Sequence, residues 1–443
     1  MIYEAALGNL TVIATGDSII NQPLSVYKEQ AFTDLVGMIR TGDVGFTNLE
    51  TLIHEFEVNP SVGSGGNTFM ASHPRMLEEL RWAGINLLSS ANNHAYDYGE
   101  GGLLATIKNL EASGLAYSGT GRNLSEARAP RYLDTGRGRV ALISVSSTFP
   151  ADARAMEQRP DLQGHPGINA LRFDTTYTVD QSAFGELRRA GRELGLDAER
   201  AWQAGFGMRG TLTPDTDISY HFLDKQFALG DGFCVATAPN TRDLEGNLKW
   251  VREARRQADW VLVSAHCHEY GAQREDPPGF LVAFARACID AGADMFIGHG
   301  PHFVKGVEVY QGKPILYSIG NFILQNEQLL RLPAEFYDRF GLGPDATPGE
   351  GFDARSANGT RGFPSDSVWW ESVVVACEYR GGQLDALRLH PIDLGHKQPR
   401  SRRGRPVLAA TELAQTVLER MQRLSKPFGT AITIKDGVGL VQL

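Results

Sequence analysis

No stretch of the sequence approaches the roughly 20 consecutive apolar residues of a membrane-spanning helix. Cysteine is scarce: Cys234, Cys267, Cys288 and Cys377 are the four among 443 residues, without framework spacing. That excludes a disulfide-stapled scaffold and reads as reduced thiols in a cytosol-like compartment. Positive charge is not in excess either. The formal charge is -9, which argues against a general nucleic-acid binder, because such proteins carry a basic face. The longest basic patch, Lys397–Arg405, holds Arg400, Arg402, Arg403 and Arg405. It reads as a solvated loop or a contact for an acidic partner. The start, Met1-Ile2-Tyr3-Glu4-Ala5, lacks the basic and long apolar regions of a secretory signal, so a cytoplasmic protein is expected. There is no internal repeat and no low-complexity tract. The composition, 42% hydrophobic, suffices for a large core.

What is present is an alternation of strand and helix signals. Helical spacing is expected over Ala31–Arg40, Pro74–Trp82, Leu103–Ser113, Leu248–Ala258 and Gly279–Ala291. Strands are expected over Leu10–Ala14, Val44–Asn48, Ile85–Ser89, Arg139–Ser146, Trp260–Ser264 and Asp294–Ile297. This order argues an α/β class with a largely buried sheet. Val304–Tyr310, Ile315–Ser318, Val368–Cys377 and Leu384–Leu389 follow one another without long helices, so the sheets should be mixed. The last expected element is a helix over Ala409–Leu424. One domain over 1–443 is expected, broken by two irregular stretches, 150–232 and 324–366. Long irregular segments inside a compact domain are often binding loops, and both are read as substrate-recognition insertions.

Five of the expected strands stop on residues that bind metals. The stops are Gly16-Asp17, Asn48-Leu49-Glu50, Asn92-Asn93-His94, His266-Cys267-His268-Glu269 and His299-Gly300-Pro301-His302. In an open α/β sheet ligands bind outside the carboxyl ends of the strands, so five remote segments can share one pocket. Each alone is weak: Asp17 could cap a helix, and Asn48 and Glu50 could close a turn. Lone histidines such as His73, His221 and His390 read as structural. But four of the eleven histidines fall in two short segments, each directly after an apolar strand.

The donor set is mixed oxygen and nitrogen, which suits borderline first-row metals better than calcium. Two divalent ions repel unless an anion lies between them, and Glu50 is the expected bridge. Asp17 serves one ion and the Asn93 carbonyl oxygen the other. His266, His299 and His302 fill the nitrogen positions; His268 and Asn48 are possible further ligands or substrate contacts. Such a pair clamps a water-derived hydroxide and polarises a scissile phosphoryl or carbonyl oxygen. His94 is the expected catalytic residue, to protonate the leaving group or stabilise developing charge, with Asp97 three residues on fixing its tautomer. The expected cofactors are two divalent ions; zinc, manganese and iron all fit.

These residues carry a resemblance. The chain looks like the CapA family, named for poly-gamma-glutamate capsule biosynthesis, within the calcineurin-like metallophosphoesterase superfamily. The matching pieces begin with Thr15-Gly16-Asp17, Thr47-Asn48-Leu49-Glu50 and Ser90-Ala91-Asn92-Asn93-His94-Ala95-Tyr96-Asp97-Tyr98-Gly99. They continue with 119–128 (Gly-Thr-Gly-Arg-Asn-Leu-Ser-Glu-Ala-Arg), Ser264-Ala265-His266, Ile297-Gly298-His299-Gly300-Pro301-His302 and Tyr317-Ser318-Ile319-Gly320-Asn321-Phe322. The likeness runs from about Thr11 to the C-terminus apart from the two insertions. It implies a four-layer α/β/β/α sandwich of metallo-dependent phosphatase type with a dinuclear site at the strand ends. On it Asp17 matches the first metal aspartate, Glu50 the bridging carboxylate, Asn93 and His94 the Asn-His pair, His266 the histidine after the fourth strand, and His299 and His302 the late segment. Three departures stand out. Ile19 occupies the place where the wider superfamily has a histidine, as is usual in this family; Cys267-His268 replaces a common Trp-Gly; and Gly300 stands where a histidine is often found.

Three functions follow as expectations. One is a metal-dependent hydrolase of an amide bond, gamma-glutamyl or peptide-like. Another is a phosphomonoesterase or phosphodiesterase, which arginines converging on the pocket would favour; Arg122, Arg172 and Arg209 are the candidates. The third is a non-catalytic component of poly-gamma-glutamate synthesis or export. The expected partner is a small-molecule, polyanionic or peptide-like substrate, with no nucleic acid and no membrane span.

Overall fold

Along the Gly138–Ser146 strand, Val140 and Leu142 point to one side and Ala141, Ile143 and Val145 to the other, and all five are buried. Trp260–His266 and Met295–His299 repeat the pattern: Trp260, Leu262, Met295 and Ile297 share the first side, Val261, Val263 and Phe296 the second. Strands buried on both faces read as continuous apolar runs, and that is why these segments are so apolar. The computed structural model describes residues 8–63, 68–207 and 215–443.

These three strands are parallel neighbours in a six-stranded sheet ordered Val307–Tyr310, Lys313–Leu316, Met295–His299, Trp260–His266, Gly138–Ser146, Arg131–Thr135. A larger, ten-stranded sheet centres on Leu10–Ile19. On one side it runs parallel to Val44–Leu49, then Leu87–Ser89 and Ala116–Ser118; on the other it pairs antiparallel with Glu371–Arg380. Asn321–Leu324 joins the last residues of Leu10–Ile19 in parallel. Val12, Ala14, Val44 and Phe46 pack into the same cluster as Val140, Leu262 and Ile297, so the two sheets share an interior. Their outer faces carry helices. Gln30–Ile39, Met76–Ala83 and Gly99–Ser113 supply Phe32, Leu80 and Ile107 to the cluster of Ile13 and Leu88. Thr241–Arg255 and Gly279–Asp290 supply Val251 and Phe284 to the cluster of Val263 and Phe296. The fold is mixed α/β with several mixed sheets. Among the described residues no helix is long and apolar enough to cross a membrane.

Two stretches differ from the sequence reading. Residues 150–232 are expected to be irregular. Their described part instead contributes to a four-stranded sheet ordered Ser219–Phe222, Lys225–Leu229, Phe173–Val179, Cys234–Pro239, with helices Gln181–Glu193 and Leu196–Gly205. The small core holds Val179, Phe184 and Tyr220. The strand Phe-Asp-Thr-Thr-Tyr-Thr-Val is mostly half-buried, so no long apolar run announces it. After the Thr411–Ser425 helix a hairpin, Ile432–Lys435 and Val438–Val441, closes one end of the large sheet.

The basic patch is tied down in part, with Lys397 and Arg402 left exposed. Arg403 pairs with Glu327 and Arg400 with Asp353, so it pins the 324–366 stretch. Arg405 pairs with Glu29 at 2.9 Å and lies 4.0 Å over the Tyr27 ring.

Candidate metal centre

The parallel register sets the site. Asp17 lies opposite Asn48, Asn48 opposite Ser89, and His266 opposite His299. The pairing of Leu10–Ile19 with Val44–Leu49 shifts between Ala14 and Asp17, an irregularity that re-aims a side chain at a strand end. There Gly16 lets the backbone of Gly320 approach: a Cβ on Gly16 would lie 1.8 Å from the Gly320 carbonyl oxygen. The carboxyl ends of both sheets meet where Asp17 of one approaches His266 and His299 of the other, and Asp17, Asn48, Glu50, Asn93, His94, His266, His299 and His302 are all buried, with His268 beside them.

Two groups of ligand atoms result: Asp17, His266 and His299, and Glu50, His268 and His302, each with its atoms within 4.8 Å of one another. His299 Nδ1 is 3.3 Å from Asp17 Oδ1 and 3.1 Å from His266 Nδ1. His266 Nε2 is 2.9 Å from His268 Nε2, 2.9 Å from Asn93 Oδ1 and 3.7 Å from Glu50 Oε1. His302 Nε2 lies 3.6 Å from Glu50 Oε1. An ion about 2.1 Å from each of its nitrogen and oxygen ligands sets them roughly 3.0–3.5 Å apart, and these separations fall in or near that range. Asn48 donates to Asp17 Oδ1 at 2.8 Å and lies 3.3 Å from His266 Nδ1, so it orients ligands rather than reaching the second group.

Glu50 is the most telling residue. It is fully buried, and neither carboxylate oxygen meets a hydrogen-bond partner among the described residues. Burial, then the charges of Asp17 and Asp97, push its carboxyl well above the usual range. Asp17 goes the other way: burial opposes ionisation, but His266 and His299 outweigh it and hold the carboxyl well below its usual value. Burial pushes His266 down to about 4 and His268 well below its ordinary value. Buried imidazoles and one orphaned carboxylate aimed at a common space are compatible with a metal site.

Residues with no assigned role in the sequence reading hold the ligands in place. Ser264 Oγ sits 2.7 Å from His299 Nε2, leaving Nδ1 toward Asp17. Asn321 Oδ1 lies 2.8 Å from His302 Nδ1, leaving Nε2 toward Glu50, and Asn321 Nδ2 donates to the His302 carbonyl at 3.1 Å. That clamp holds His302 at φ +64, where a non-glycine residue is strained. Such partners fix tautomer and ring orientation. The signal for Asn321 was in the Ser-Ile-Gly-Asn-Phe piece, which suggested family but no contact. Gly300 has φ +114 and donates its N–H to Asp17 Oδ2 at 2.9 Å; a Cβ there would lie 2.7 Å from the Cys267 nitrogen. This backbone therefore has no room for a histidine at 300. Cys267 is buried with Val263 and Phe284 behind the sheet.

A cavity of about 480 Å³ opens beside the cluster, lined by Asn93, His94, His268 and His302. His94 Nδ1 is 2.6 Å from Asp97 Oδ2, which also accepts the Met70 N–H at 2.7 Å. The cavity's aromatic wall includes Tyr270, Phe303, Phe363 and Trp369, and its arginines are Arg274 and Arg355. Neither arginine was singled out by sequence. Arg122 instead forks to Glu111 and Glu126 on an exposed surface, Arg172 is tied to Asp243, and Arg209 lies outside the described residues. His73 pairs with Glu55 and His221 with Asp215, away from the cluster.

The sequence pattern of the family described as "Bacterial capsule synthesis protein PGA_cap" matches residues 11–326. The protein y4sH of Sinorhizobium fredii (strain NBRC 101917 / NGR234) is 36% identical over 453 aligned positions, 98% of this chain and 93% of that protein. Capsule biosynthesis protein CapA of Bacillus anthracis is 25% identical over 257 positions, 58% of this chain and 44% of that one. A probable polyglutamine synthesis accessory protein of Mycobacterium tuberculosis (strain CDC 1551 / Oshkosh) is 23% identical over 286 positions, 63% of this chain and 55% of that one. With a family match over most of its length, the chain belongs to the PGA_cap family of capsule synthesis proteins, the family of CapA.

Proposed function

We propose that this protein is a metal-dependent hydrolase with a dinuclear centre that cleaves an amide bond, gamma-glutamyl or peptide-like, in an anionic substrate. The unpartnered, fully buried carboxylate of Glu50 carries the reading. Asp17, His266 and His299 would hold one ion, and Glu50, His268 and His302 the other, with the Asn93 oxygen beside them. Two sheets packed between helices support a four-layer α/β/β/α arrangement around that centre. Zinc, manganese or iron suits the donors. Bound there, divalent ions supply Lewis acidity and a water acidic enough to act as nucleophile near neutral pH.

The chain's own residues do the rest. Asp97 takes the Nδ1 side of His94, which turns Nε2 to the cavity as proton donor for the leaving group. Arg274 and Arg355 would bind the substrate's anionic groups, and the aromatic wall would give its carbon skeleton an apolar contact. Asn326, Arg355 and Phe363 in that wall support 324–366 as a substrate-recognition element; no described residue of 150–232 lines this cavity. His268→Gln is expected to lower metal content from roughly two ions per chain toward one, since it removes a ligand from one group only. Elemental analysis of the purified variant checks this. Arg355→Met should raise KM on anionic substrates about 10-fold or more with kcat and metal content unchanged, because a hydrogen bond to a charged group contributes about 1.5–3 kcal/mol.

The two arginines also suit a phosphoester, the second reading. The test is metal analysis followed by assay of the loaded protein on p-nitrophenyl phosphates and gamma-glutamyl anilides. Turnover of the anilides alone supports the amide reading, and turnover of the phosphates alone replaces it. A fully loaded protein silent on both would be a non-catalytic synthesis component, in keeping with a relative named an accessory protein.

A further inference from the structure

A second cavity, of about 450 Å³, shares no lining residue with the one at the metal centre. Five arginines line it, from separate parts of the chain. Arg128 ends the short helix Leu124–Arg128, Arg154 and Arg159 follow the turn at Ala151–Ala153, Arg172 precedes the strand Phe173–Val179, and Arg242 lies in the first turn of the helix Thr241–Arg255. Arg128 belongs to the Gly119–Arg128 piece, which the metal centre does not use.

One carboxylate organises the floor. Asp243 accepts from Arg128 Nη2 at 2.9 Å and from Arg172 Nε and Nη2 at 2.7 and 2.9 Å, and takes the Arg172 N–H as well. It is buried and saturated by these bonds. Glu157 accepts from Ser125, and Arg159 pairs with Asp161 at 3.0 Å. Arg154 and Arg242 have no carboxylate within ion-pair distance among the described residues. Five guanidinium groups thus face three carboxylates, an excess of two positive charges in a chain whose formal charge is -9. The start of the Thr241–Arg255 helix adds its partial positive charge. Like charges around one cavity repel, and an anion that enters relieves them.

We infer that this cavity binds a small multivalent anion, with Arg154 and Arg242 clasping two of its charged groups over the Arg128–Asp243–Arg172 floor. Guanidinium forks match carboxylate and phosphate alike, so the shared chemistry is two or more such groups on one molecule. The site is independent of the hydrolase reading.

The test is calorimetric titration of the full chain with pyrophosphate and, separately, with a tri-gamma-glutamyl peptide. At low salt at least one probe should bind, weakening as salt rises. Arg154→Gln/Arg242→Gln should weaken that binding about 10-fold or more, and Arg154→Lys/Arg242→Lys should restore part of it. Metal content should not change. The same binding should persist in Glu50→Gln, which separates it from anions held at the metal centre. Tighter pyrophosphate assigns the site to phosphates, tighter peptide to carboxylates. No binding of either probe, or equal binding by the Gln/Gln protein with its fold intact by melting temperature, overturns the inference.

Discussion

Glu50→Gln should abolish metal binding and turnover together, while the metal-free fold becomes more stable than the parent. Both halves have the same cause. The parent buries a carboxylate that accepts no hydrogen bond and shares its surroundings with Asp17 and Asp97. Leaving such a group unpaired costs about 1–3 kcal/mol. The amide of glutamine is neutral and brings two N–H donors to a place where His266 Nε2 and His302 Nε2 lie 3.7 and 3.6 Å from the carboxylate. It can satisfy those nitrogens, but it cannot neutralise cations. The sign with pH follows. A buried carboxyl raised above its unfolded value stabilises the fold most below that unfolded value, and the contribution is lost as pH rises through the raised one. The gain from Glu50→Gln in metal-free protein should therefore be small in mild acid and grow toward neutral pH. Metal should reverse the order by stabilising only the parent, by an amount set by its concentration over Kd. Melting curves of both proteins, with and without zinc or manganese at two pH values, check this. A parent whose melting temperature ignores every divalent ion tried would sink the dinuclear reading.

The same electrostatics explains what was legible in the sequence. Ligands at strand ends advertise themselves because a polar or charged residue breaks an apolar run: Val44–Phe46 leads to Asn48 and Glu50, Trp260–Val263 to His266, Met295–Ile297 to His299. Strands buried on both faces make that contrast sharp. Groups acting by reach leave no such mark. Arg274 reaches the cavity from a loop and Arg355 from the helix Pro348–Ser356, both on long side chains, and nothing in their sequence surroundings separates them from Arg122, which ends in a surface ion-pair cluster. Ser264 and Asn321 are ordinary polar residues until their histidine partners are in place. The C-terminal hairpin was legible in principle: Asp436 and Gly437 both have positive φ, 50 and 75, as the two-residue turn that favours Asp-Gly requires, and β-branched residues flank them. The sheet of Phe173–Val179 was not, because threonine-rich strands with half-buried faces lack the alternation that marks a strand.

His94→Ala should keep its metal and lose turnover by a factor on the order of 10² or more on substrates with poor leaving groups. The ring is nearly buried yet lines the cavity, and its backbone N–H is fixed by Asn92 Oδ1 at 3.1 Å. Asp97, fully buried and anchored to the Met70 N–H, takes the Nδ1 side, so the proton to be given away sits on Nε2. Neither metal-ligand group includes His94. A missing proton donor matters in proportion to the basicity of the group that leaves. The loss should therefore shrink toward nothing on p-nitrophenyl substrates, whose phenolate departs without a proton, and persist on anilides, whose nitrogen must be protonated to leave. Asp97→Asn should follow the same leaving-group pattern with a smaller loss, since it leaves the ring present but unguided. Paired rates on activated and unactivated substrates, beside metal analysis of each variant, separate this role from ligation. An equal loss on both substrate types, or metal lost along with His94, would remove the histidine from proton transfer and make it a structural support of the centre.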